Sequence, residues 1–104
     1  MKRFTVIVPQ SVLYQIDEYI NFISQKYKAP LTAYRHYDAL MQVIRNLETT
    51  AHLNPIRYTE SLQRNYGAFV RRVNFINMTF VYCIYANDEV YIHEFIAQKM
   101  IKDK

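Results

Sequence analysis

Residues 78–86 read Met78-Thr-Phe-Val-Tyr-Cys-Ile-Tyr-Ala86, a run that is apolar almost throughout. A short stretch rich in β-branched and aromatic residues is a strand, and its lack of polar alternation suits a central strand covered on both faces. Asn77 separates it from an upstream β-rich run, Ala68 to Ile76, and Asn87-Asp88 from a downstream one, Val90 to Ile96. Both breaks are short and of turn chemistry, so the three runs predict two tight antiparallel hairpins. Further upstream the period changes. Leu13, Ile16, Ile20, Ile23 and Tyr27 recur at steps of three and four, and so do Ala33, Tyr37, Leu40, Ile44 and Leu47. Each set is one face of an amphipathic helix. Pro30, tolerated in a first helical turn, opens the second helix, and the very short link makes the pair an antiparallel hairpin. Residues Glu48 to Asn65 lose periodicity and read as loop, with a turn at Asn54-Pro55. At the start, Phe4 to Val8 is a β-branched run that Pro9 stops. The order is β-α-α-β-β-β. The expected fold is α+β, an N-terminal strand and helical hairpin followed by a three-stranded antiparallel meander, in one domain over residues 1–104.

Composition narrows the function classes. With 104 residues, 51% of them hydrophobic, the chain has one core and needs no staples. Ten Tyr and six Phe argue against disorder. Cys83 stands alone, which excludes an internal disulfide and a Cys-based zinc site and makes it a core strand residue. His36, His52 and His93 are scattered, so no metal is expected. With no Gly-rich phosphate loop and no nucleophile elbow, no small-molecule cofactor is expected either, and an independent metabolic enzyme is disfavoured. The opening Met1-Lys-Arg-Phe4 leads into an apolar run too short for a signal peptide, and no uncharged stretch approaches the ~20 residues of a membrane span. The expectation is a soluble, cytoplasmic protein. Net charge is +4, and residues 57–72 are the most basic stretch, with Arg57, Arg64, Arg71 and Arg72 against Glu60 alone. That balance suits nucleic acid or an acidic protein partner.

Order and motifs together resemble the RelE/ParE superfamily of bacterial type II toxins. The likeness is carried by Phe4-Thr-Val-Ile-Val8 running straight into the helical hairpin and by Ile16-Asp-Glu-Tyr-Ile20 in the first helix. It continues in Leu47 and Pro55, in Gly67-Ala-Phe-Val-Arg71-Arg72-Val73 as an apolar–Arg–Arg strand, and in Phe80-Val-Tyr82-Cys-Ile-Tyr85 followed by Glu89-Val-Tyr-Ile92 as the closing hairpin. The resemblance implies a growth-inhibiting toxin, of the kind tied to plasmid stabilization, that is silenced by a cognate acidic antitoxin. Its target would be messenger RNA on the ribosome, as for RelE-like members, or DNA gyrase, as for ParE-like members. The alternative is a toxin-fold interaction module that keeps the antitoxin-like partner and has lost activity.

Metal-free RNA cleavage turns the 2′-hydroxyl into the nucleophile. It needs a proton acceptor, a proton donor to the leaving oxygen and cations on the phosphate. Arg71 and Arg72 are candidates for the cationic role, because a planar guanidinium meets two phosphate oxygens and stays charged. Strand alternation sends them to opposite faces. His93 is the candidate acid or base, and Arg57, Arg64 and Lys99 are candidates for binding the target or its phosphates. Tyr66, Tyr82, Tyr85 and Tyr91 gather in the sheet region, where rings can stack on bases or simply cover the sheet. Gln98-Lys99 stands where RelE-like nucleases often have an arginine pair, and the terminal Tyr or His of those enzymes is missing. This leans the reading toward a ParE-like or non-nucleolytic member.

Overall fold

A computed structural model describes residues 2–101 of the chain. Strand β1 (Thr5–Ile7) is followed by helices α1 (Gln10–Tyr27) and α2 (Pro30–Thr50), a short helix α3 (Glu60–Tyr66), and strands β2 (Arg71–Phe75), β3 (Met78–Tyr85) and β4 (Glu89–Ala97). The sheet order is β1-β4-β3-β2. β2, β3 and β4 form the expected antiparallel meander, and β1 joins β4 in parallel, with Thr5 opposite Glu89 and Ile7 opposite Tyr91. Parallel pairing is forced by the connection: the helical hairpin brings the chain back so that β1 and the last strand run the same way.

Local chemistry explains the hairpin. Lys28 takes the left-handed conformation (φ 51°) and its N–H bonds the Ser24 carbonyl, which ends α1; Pro30 then occupies the first turn of α2, where its missing N–H costs nothing. The buried stripe of α1 is Val12, Ile16 and Ile23, with Tyr19 and Ile20 beside it. This differs from expectation at the ends. Val12 is fully buried in place of Leu13, and Tyr27 is 52% exposed. A stripe at three-four spacing drifts around the helix, so the middle positions are shared by both registers and the terminal ones are not. Tyr37 of α2 is likewise exposed, whereas Ala33, Leu40, Ile44 and Leu47 are buried as read.

β3 is covered on both faces. Phe80 and Tyr82 join the main core under the hairpin, with Val12, Ile16, Leu40, Leu47, Ile92 and Phe95. Val81 and Cys83 point the other way into a second cluster with Leu62 and Val70, bordered by Tyr66 and Ile101. The cover on that second face is α3, in a segment expected to be loop. Seven residues with only Leu62 and Tyr66 as an apolar i,i+4 pair give no readable period. Gly67 ends α3 at φ 111°, a conformation that favours glycine, and donates its N–H to Gln63. After β4, which includes Ala97, the chain makes a tight turn, Gln98–Met100; residues 102–104 lie outside the described part of the chain. Among the described residues no helix is long and apolar enough to cross a membrane.

Candidate functional site

The two strand arginines part at the backbone. Arg71 lies opposite Tyr82 and Arg72 opposite Val81, so Arg71 faces the hairpin and Arg72 the face under α3. On the hairpin side Arg71 Nη1 donates to the His52 carbonyl at 3.1 Å and to the Asn54 carbonyl. Beside it the fully buried Tyr82 hydroxyl donates to the Ala51 carbonyl at 2.6 Å and accepts from Asn54 Nδ2 at 2.9 Å. These carbonyls belong to the 3₁₀ turn Ala51–Leu53 that ends α2, and to the residue after it, where the helix ladder leaves acceptors without helical donors. Arg71, Tyr82 and Asn54 therefore clamp the end of α2 onto the centre of the sheet. Burial raises the Tyr82 phenol, against the lowering pull of the Asn54 bond and the Arg71 charge.

The opposite face gathers rings around His93. The β3–β4 ladder slips by one residue: Tyr82 faces Ile92, and Val81 faces Glu94. His93 is the extra residue of this bulge, which bends the strand and re-aims side chains. Its Nε2 lies 3.0 Å from the Tyr85 hydroxyl, and its ring centre is 5.0 Å from Tyr91 and 5.8 Å from Tyr66. Burial lowers the His93 pKa, opposed by the Glu94 carboxylate. His93 is thus neutral near neutral pH and able to accept a proton. Glu94 accepts from the Tyr66 hydroxyl at 2.9 Å and from Gln15 Nε2 at 3.2 Å. The Tyr66 phenol is pushed up to about 12, first by burial and then by its bond to Glu94. Tyr85 is also raised, chiefly by burial. Burial raises the Cys83 thiol, whose Sγ rests 3.4 Å from the Tyr66 carbonyl, so it is a packed core group and not a nucleophile.

Gln15 completes this arrangement from α1. β1 pairs with β4 only as far as Tyr91, and beyond it Gln15 Oε1 accepts the Phe95 N–H at 2.8 Å. One side-chain amide thus takes over the role of the strand that has ended and steadies Glu94 as well.

The other expected site residues scatter. Arg72 shares the His93 face and donates to Asn74 at 3.2 Å. Arg57 runs beside β2, its N–H on the Val70 carbonyl. Arg64 pairs with Glu60 one turn earlier on α3. Lys99 lies past the end of β4, on the rim of a separate cleft. The structure therefore brings Arg72 and His93 to one face and sets Arg71 and Lys99 apart. The partners Tyr85 and Tyr66 were visible only as members of a loose tyrosine cluster, and Glu94 was not among them, because the bulge that orients His93 leaves no mark in the residue types. Gln15 carried no signal at all. Among the described residues, no group of three or more His, Cys, Asp or Glu could hold a metal ion.

No family model matches this sequence, and no curated protein does either. Comparison of folds does find a match. A chain of a chromosomal ParDE TA (toxin–antitoxin) system from P. aeruginosa superposes with a TM-score of 0.72, covering 93% of this chain and 98% of that one at 11% identity. At that identity the likeness is one of fold: an N-terminal strand and helical hairpin on a mixed four-stranded sheet, as the motif order led one to expect.

Proposed function

We propose that this chain is the toxin of a toxin–antitoxin module and that it arrests growth by binding DNA gyrase, not by cutting RNA. One observation carries the choice. The Arg71 guanidinium is taken up by backbone carbonyls on the hairpin face, and Arg72 lies on the opposite face. Arg71 and Arg72 therefore do not close together on one phosphate, and the stabilisation this pair would give a pentavalent phosphate is not available. Gln98, where an arginine would help an RNA-cutting member, instead holds the Ile76 and Met78 carbonyls of the β2–β3 turn. The ParDE match in fold supports the toxin–antitoxin reading, and net charge +4 suits an acidic antitoxin captured with electrostatic steering.

A second reading rests on the His93 face. A neutral His93 against Tyr85, with Arg72 on the same face, offers an acid–base group and one cation for ribosome-dependent cleavage. Mapping mRNA 5′ ends in a bacterial translation reaction, alongside induced expression in a bacterial host, separates the two. The gyrase reading predicts growth arrest with no new ribosome-dependent ends. New ends that vanish in Arg72→Ala or His93→Gln establish the second reading. Neither arrest nor ends, from folded protein, leaves a silent module that only binds its partner.

A further inference from the structure

A cleft of about 510 Å³ opens where the tip of the helical hairpin overhangs the end of the sheet. Its volume falls in the range of small-ligand sites. One wall is α1, with the rings of Phe22 and Tyr27; His36 of α2 closes the top; the β2–β3 turn and the turn after β4 form the other wall. The cations come from both walls, Lys26 from α1 and Lys99 from the far side, and no Asp, Glu or Arg is among the described lining residues. Lys26 Nζ lies 5.8 Å from the Phe22 ring centre and 5.4 Å from that of Tyr27, so the aromatic wall is itself cationic at its edge.

The second wall is held rigid. Ile76 sits at φ 54°, a left-handed conformation that a β-branched residue rarely adopts, and its side chain is 59% exposed beside the cleft. Gln98 fixes it there: its side-chain amide donates to the Ile76 carbonyl at 2.7 Å and to the Met78 carbonyl at 3.1 Å, and its N–H donates to the Asn77 carbonyl at 2.8 Å. Ile76 is the first residue of the two-residue turn between Phe75 and Met78, a position that takes positive φ in tight hairpins, and the Gln98 bonds hold that turn in place beside the cleft.

We propose that this cleft binds a small carboxylate with an aromatic or aliphatic body. The body packs on Phe22, Tyr27 and Ile76, and the carboxylate is drawn by Lys26 and Lys99. A phosphate ligand fits less well, because the cleft has neither the guanidinium fork nor the helix N-terminus that phosphates favour. The proposal is independent of the toxin reading.

The test is a titration of isotope-labelled protein with 4-phenylbutyrate and with its neutral amide at equal ionic strength, followed by amide shifts in NMR. The expected Kd for the carboxylate is on the order of 1 mM, the strength of a fragment-sized ligand in an open site. Shifts should be confined to residues 22–27, 36, 76–78 and 97–99, with the amide at least threefold weaker. Lys26→Gln with Lys99→Gln should abolish that preference, and Phe22→Ala should weaken both ligands; all three side chains are exposed, so the fold tolerates the changes. Equal binding of carboxylate and amide, or shifts scattered over the surface, overturns the proposal. So does an acidic phenylalanine-containing tripeptide binding more than tenfold tighter than phenylbutyrate, which would make the cleft a peptide anchor.

Discussion

Arg71→Ala tests whether this arginine is a clamp or a phosphate ligand. In the structure one nitrogen, Nη1, serves the carbonyls of both His52 and Asn54, and these lie at the end of α2. A hydrogen bond from a charged donor contributes about 1.5–3 kcal/mol when its partner is left unsatisfied on removal. His52 is exposed and Asn54 half-buried, so water recovers one acceptor and part of the other. The expected loss is therefore about 2 kcal/mol. With a urea slope of roughly 1.5 kcal/mol per molar, the unfolding midpoint falls by about 1.3 M. Arg72→Ala removes an exposed bond to Asn74 on the other face and should move the midpoint by less than Arg71→Ala does. The assay is equilibrium urea unfolding of both variants by circular dichroism, in parallel with growth inhibition at a temperature where each is folded. If Arg71→Ala shifts the midpoint by no more than Arg72→Ala while abolishing growth inhibition, the clamp reasoning is refuted and Arg71 acts on the target directly.

Tyr82→Phe should cost about 2 kcal/mol, because it strands the buried Ala51 carbonyl, whereas Tyr85→Phe on the surface should cost under about 0.5 kcal/mol; thermal melts of the two variants check the contrast. His93, with its pKa lowered in the fold, is protonated more readily in the unfolded chain. Its contribution is complete above the ordinary value of 6.5 and is lost as pH falls below it, so His93→Gln should flatten the acid limb of a stability-against-pH profile. Tyr66 behaves oppositely. Its folded phenol keeps a proton up to about 12 that the unfolded chain gives up near 10, so stability drains away as pH rises through that window. Ultraviolet titration of the folded protein should show late phenolate ionisation that Tyr66→Phe reduces by one tyrosine and Glu94→Gln shifts in part to lower pH.

Much of the scaffold was legible because apolar spacing and turn chemistry are local. Asn87 and Asp88 do occupy left-handed positions in the β3–β4 turn, and Pro30 does open α2. The β2–β3 turn was legible as a break at Asn77, yet the left-handed residue is Ile76, held by Gln98 from a distant part of the chain. The site was less legible for the same reason. Alternation separated Arg71 from Arg72, but the carbonyls that take up Arg71 lie at the end of α2, nearly twenty residues earlier. His93 depended on a one-residue slip between two strands, and Glu94 on Gln15 in the first helix. α3 was too short to show a period, and with it the cover over Val81 and Cys83 went unseen.

The most direct test of the proposed function is a gyrase cleavage assay with the purified chain, relaxed plasmid and ATP, read as linear DNA after denaturation and protease digestion. The account predicts linear DNA that rises with the amount of this protein, persists with Arg72→Ala, and disappears when gyrase is left out. No linear DNA and unimpaired supercoiling, from protein that arrests growth when expressed, would contradict it.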